Sequence, residues 1–111
     1  MEPAERGATR IADRVVAKLA SQAAREALSA TAPEDSTPPY ATVVVHDGAA
    51  RVRVAVELDY PCDIAARCRA VRQRITERVR ELADLSVPEV TVMVERLHSP
   101  HTLSAGRERV R

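Results

Sequence analysis

The residues able to do chemistry are few. Cys62 and Cys68 stand as C-x5-C, His98 and His101 as H-x2-H, and Asp59 and Asp63 flank Tyr60. A structural zinc site needs four such ligands and a catalytic one three. Two histidines with no third ligand near them in sequence make a weak metal signature, and a polar tail accounts for them. His46 lies beside a turn with no evident partner. On one helix the two cysteines would lie about 120° apart around the axis and nearly two turns apart along it. That is too far to bridge. Cys68 falls in an apolar stripe and reads as a small core residue. Cys62 lies at a helix start, a setting in which reactive thiols are found, yet no histidine is near in sequence. A thiol or metal enzyme would rest on Cys62 alone. Asp63 reads as a helix N-cap. No G-x-S-x-G, P-loop or G-x-G-x-x-G is present. These residues assign no catalytic group, cofactor, metal or small-molecule substrate, and they point to a binding or scaffold module instead of an enzyme.

The arginines are the other chemical resource. Arg67, Arg69, Arg72, Arg74 and Arg78 fall within twelve residues. With Ile64 at zero on a helical wheel, Arg67, Arg74 and Arg78 sit at about 280–320°, Arg72 at about 80°, and Arg69 and Arg80 at about 140–160°. They surround an apolar stripe instead of forming one ridge. Arg74 with Glu77, Arg78 with Glu81 and Arg80 with Asp84 make helical ion-pair spacings, each stabilising by only about 0.2–0.5 kcal/mol. A solvated helix flank explains these arginines. A surface for an acidic partner is the second reading, and Arg51 and Arg53 could extend it.

Bulk composition narrows the partners. The chain has 111 residues, enough for one domain with its own core, and a formal net charge of +1. A dedicated nucleic-acid binder shows a clearer basic excess. Tyr40 and Tyr60 are the only aromatic residues, too few for a single-strand stacking platform. Lys18 is the only lysine, and the Arg-, Ala- and Val-rich composition matches a GC-rich, actinobacteria-like genome. The opening "MEPAERGATR" places charges where a signal peptide needs an apolar run. No stretch approaches the 18 apolar residues of a membrane span. The expectation is a cytoplasmic protein without direct membrane insertion, meeting the membrane peripherally or through another protein.

The elements that must position these residues follow from periodicity. Residues 1–8 read as a flexible leader. Thr9 can cap a helix in which Ile11, Ala12, Val15, Val16, Leu19 and Ala23 share one side, with Asp13, Arg14, Lys18 and Arg25 opposite. It ends near Leu28. Ser29–Tyr40, with three prolines, is a long loop. "ATVVVHDGAARVRVAVEL" is a hairpin turning at Asp47-Gly48. Its return strand puts Val52, Val54, Val56 and Leu58 on a dry face and Arg51, Arg53, Ala55 and Glu57 on a wet one. From Asp63 a second helix runs to about Asp84 with a stripe of Ile64, Cys68, Val71, Ile75, Val79 and Leu82. "LSVPE" ends it, and Glu89–Leu97 is a third strand. The order predicts a compact α+β domain, α-β-β-α-β, whose small three-stranded sheet is covered on one face by two amphipathic helices. The domain spans 9–97, and 98–111 is a flexible basic tail.

This order carries a resemblance. "GATRIADRVVAKLASQAA" is similar to the opening helix of the alkaline shock protein family, or envelope stress response family, where Gly and Ile precede a "V..KIA..A" helix. "VRVAVELDYPCDI" resembles that family's alternating strand followed by Tyr-Gly-x-Asn-Ile, and "AVRQRITERVRELADLSVPEVTVMVERL" resembles its second helix and last strand. The resemblance spans about residues 7–97. It rests on apolar patterns more than on chemical signatures. Pro61 and Cys62 depart from the usual Gly and variable residue, Asp63 from Asn, and Ser29–Tyr40 from a shorter "EVxGV" join.

The resemblance implies a non-enzymatic, abundant cytoplasmic protein of Gram-positive bacteria, tied to envelope stress. Its relatives gather at the inner side of the cell membrane through a membrane-spanning anchor protein. It brings no catalytic residues. The expected partners are further copies or a paralogue and a membrane-anchored protein. The expected contact residues are Arg51, Arg53 and Glu57 on the wet hairpin face and Arg67, Arg74 and Arg78 on the second helix. The alternative is a small KH-like nucleic-acid module using the arginine-rich helix. The G-x-x-G loop of that class is absent, and Gly48 sits in a hairpin.

Overall fold

The computed structural model describes residues 3–33 and 36–98, with the side chains of 12–33 and 36–98. Five elements follow one another: α1 (Pro3–Leu28), β1 (Tyr40–His46), β2 (Ala49–Asp59), α2 (Ile64–Ala83) and β3 (Ser86–His98). The fold is the predicted α+β arrangement, with both helices over one face of a three-stranded sheet.

The sheet order is β1-β2-β3. β1 and β2 pair antiparallel through a two-residue turn. Asp47 and Gly48 supply the two positive φ angles, 51° and 72°, that a tight hairpin turn requires. β2 and β3 pair in parallel, so α2 is the crossover that returns the chain to the start of the sheet. The strand with two neighbours is therefore β2, and its dry face is the driest in the molecule. Val52, Val54, Val56 and Leu58 are all buried, as the alternation predicted, and Ala50 is buried with them. Over them lie Val16, Ala20, Ala23, Ala24 and Leu28 of α1 and Val71, Ile75 and Val79 of α2. The alanines matter: without long side chains, α1 can approach both its neighbours closely. Each fully buried valine or isoleucine stabilises the fold by about 1.5–3 kcal/mol relative to exposure.

Several sequence expectations shift. α1 begins at Pro3, not Thr9, because proline is pre-organised for a first helical turn and good helix formers follow it. Residues 3–8 of the predicted leader are therefore helical, and residues 1–2 lie outside the described residues. On α1 the core-facing side is rotated from the one predicted: Val15 is 51% exposed, while Ala20, Ala24 and Leu28 are buried. On α2 the ends of the stripe leave the core. Ile64 and Leu82, near the two ends of α2, are exposed. Cys68 is only half-buried, and Cys62 is the thiol that leans on the core; both are free. Asp63 caps α2 as predicted, accepting from the Ala66 N–H at 3.0 Å.

β3 starts at Ser86, so Pro88 lies inside a strand instead of ending a helix. An edge strand tolerates proline where its missing N–H would face solvent. β3 also ends one residue late, on His98, which takes that histidine out of the predicted tail. The rest of the tail, with His101, Arg107, Arg109 and Arg111, lies outside the described residues.

Candidate partner-docking surface

Among the described residues no helix covers the wet face of the sheet. Cross-strand register builds it in rows: Val44, Arg51 and Glu89; Thr42, Arg53 and Thr91; Tyr40, Ala55 and Met93. Arg51 and Arg53 are exposed and project from the central strand. The Arg53 Nη2 lies 3.6 Å from the Met93 Sδ, so its guanidinium lies across a soft apolar neighbour. Val44 is 63% and Tyr40 is 68% exposed. The face therefore mixes two cations with aliphatic and aromatic surface, the pairing that recurs at protein interfaces.

Glu57 shares that face but is not free. Its Oε1 accepts from the His98 Nε2 at 2.6 Å and from the Thr37 N–H at 3.1 Å. The His98 hydrogen bond, followed by the Thr37 N–H, holds the Glu57 carboxyl below its ordinary value. The carboxylate pins the end of the Pro-rich loop and the end of β3 to β2.

The helix arginines are occupied too, and on the other side of the sheet. The Glu26 Oε1 of α1 accepts from the Nε of Arg74 at 3.1 Å and of Arg78 at 3.2 Å, and its Oε2 from the Arg78 Nη2 at 3.4 Å. Burial alone would raise the Glu26 carboxyl. Arg78 and then Arg74 outweigh it and hold the group below its ordinary value. Arg74 also lies 3.9 Å from Glu77. Arg67 faces Asp59, with its Nε 3.7 Å from the Asp59 Oδ1. That is too long for a hydrogen bond, and both atoms are buried without another partner among the described residues.

The six predicted contact residues thus do not form one surface. Arg51 and Arg53 stand together and open. Glu57 is a structural clasp beside them. Arg74 and Arg78 lock α2 to α1, and Arg67 turns toward the β2–α2 junction. Sequence reasoning missed Glu26, because its two partners lie 48 and 52 positions away. It also missed a groove of about 1120 Å³ along α1, where Arg14, Lys18 and Arg25 face Pro38, Pro39 and Tyr40. Their spacing along the helix was visible, but the proline wall opposite was not. The His46 Nε2 lies 3.1 Å from the Asp47 Oδ2 in full exposure. Among the described residues no three His, Cys, Asp or Glu gather as a metal site, and no helix is long and apolar enough to cross a membrane.

Compared with known protein families and with curated proteins, the chain matches none.

Proposed function

We propose that this chain is a non-enzymatic docking module of the bacterial envelope stress response, acting at the cytoplasmic face of the membrane. It works by associating with further copies or a paralogue and with a membrane-anchored protein. The reading combines the resemblance to the alkaline shock proteins with one structural observation. Among the described residues only one face of the sheet is covered, and the other offers Arg51 and Arg53 beside exposed Tyr40 and Val44. Arginine and tyrosine are the residues that dominate interface energetics when a partner covers them. A nucleic-acid reading would lean on the arginines of α2, and two of those, Arg74 and Arg78, are engaged by Glu26.

The test is affinity capture from detergent-solubilised membranes of the parent cell. The wild-type chain should retain a specific membrane protein, and the Arg51→Glu/Arg53→Glu double variant should lose it while folding normally by circular dichroism. Equal recovery on both baits, or none on either, removes this reading. A titration with RNA across salt concentrations checks the alternative, because phosphate contacts would give a steep salt slope.

A further inference from the structure

The two edges of the sheet are treated differently. Along β1, the Ala41 N–H donates to the Ser21 Oγ and the Val45 N–H to the Asp13 Oδ1, each at 2.9 Å. Both bonds point away from β2, so α1 stops that edge from receiving a strand. The same bonds fix the ladder's phase. If Ala41 and Val45 direct their amides outward, Val52, Val54 and Val56 of β2 direct theirs toward β3. In a parallel ladder those amides reach the carbonyls of Glu89, Thr91 and Met93, which leaves the N–H and C=O groups of Val90, Val92 and Val94 pointing off the sheet. Among the described residues nothing bonds them. β3 is also the longest strand, with 13 residues. Its inner side chains Val90, Val92 and Val94 are half-buried, whereas their β2 neighbours Val52, Val54 and Val56 are fully buried. Pro88, Glu89, Glu95 and Arg96 blunt the ends of this strand, and the uncharged stretch between them, VTVMV, is the part open to strand addition.

We propose that the β3 edge pairs antiparallel with the β3 edge of a second copy, centred on Val92. This rests on the docking-module reading and names one of its partners. Self-pairing follows from the symmetry of V-T-V-M-V, residues 90–94. A two-fold axis through Val92 sets Val92 against the partner's Val92 and Val90 against the partner's Val94. Each apolar side chain then meets an apolar one on the helix-covered face. Val90, Val92 and Val94 would exchange about six N–H···O bonds with the partner, since each such pair exchanges two. The bare valines become central, and two three-stranded sheets merge into one of six.

The seam has built-in limits. Glu89 falls opposite the partner's Glu95, and like charges directly opposed destabilise a strand pair. Five paired residues make a seam only about 17 Å long, small beside the roughly 20–30 residues a side of a standard stable interface. The dimer is therefore reversible.

Sedimentation velocity of the full chain, from about 1 µM to about 1 mM, tests the seam. The wild type should shift from monomer to dimer with concentration. Glu95→Lys turns two repulsive pairs into attractive ones and should tighten the dimer at least threefold. Val92→Pro removes an N–H that faces outward, a loss an edge tolerates, and should hold the chain monomeric. If circular dichroism shows Val92→Pro unfolded, Glu95→Lys decides. A wild type and a Glu95→Lys variant that both stay monomeric at the highest concentration overturn the proposal. So does a dimer that a folded Val92→Pro variant leaves intact. Membrane-protein capture lost with Arg51 and Arg53 but kept in Val92→Pro leaves the docking reading standing when the seam fails.

Discussion

Glu57 looks like one more wet-face residue in the sequence, and in the fold it is a clasp. Its two partners, Thr37 and His98, lie 20 and 41 positions away. Glu26 is similar, holding two guanidinium groups from another helix. In both, the folded chain keeps the carboxyl below the ordinary glutamate value of 4.5. The unfolded chain therefore binds more protons as the solution is acidified. The stabilisation is complete above that ordinary value and is lost as pH falls through the folded values. Urea melts should show midpoints falling steadily below about pH 4.5. Glu57→Gln should start from a lower midpoint at neutral pH and lose less on acidification. A variant whose pH profile runs parallel to the wild type removes Glu57 from this role. None of this was legible beforehand. Residue type announced that Glu57 and the arginines would be near water, but helical spacing reports only neighbours within a turn or so. Tertiary partners such as Glu26 are chosen by the packing of α1 on α2.

At the scale of elements, α1 has a second duty beside covering the sheet. Asp13 and Ser21 hold the outward amides of β1, and each such bond contributes about 0.5–1.5 kcal/mol net. The Asp13→Ala/Ser21→Ala double variant should lose about 1–3 kcal/mol in urea unfolding at low concentration. It should also associate more readily at high concentration, since its first edge is then as bare as the second. Unchanged light scattering in a destabilised variant would separate the two effects and sink the edge-guard role. Here the sequence was partly readable. The alternation of Val52, Val54, Val56 and Leu58, the Asp47-Gly48 turn and the Asp63 cap were all plain, because each depends on local geometry. The rotation of α1 was not. Val15 and Val16 are equally apolar and about 100° apart around the axis, and only the packing of α1 on the sheet decides that Val16 goes in.

Across the whole molecule the core is one thin layer between helices and sheet, made almost entirely of aliphatic side chains. Ile75 sits in it with no exposed surface. Ile75→Ala should cost about 2–5 kcal/mol, the usual range for emptying such a site. That is a large share of the roughly 5–15 kcal/mol available to an ordinary domain. A thermal melt displaced by only a degree or two would mean the layer can collapse around the gap. The class of fold and the order of its elements were legible throughout. The parallel pairing of β3 with β2 was not, because both strands show the same valine alternation whichever way they run.

That parallel seam also gives synthesis a clock. The hairpin can close as soon as Asp59 clears the ribosome, yet β2 gains its second neighbour only after the 26 residues from Tyr60 to Leu85. At about 5–20 residues per second this is a wait of about one to five seconds. Through that interval the valine row destined for the centre is a rim. In that interval the nascent chain carries an uncovered apolar strand edge, the kind of surface that makes a partly folded chain prone to aggregate.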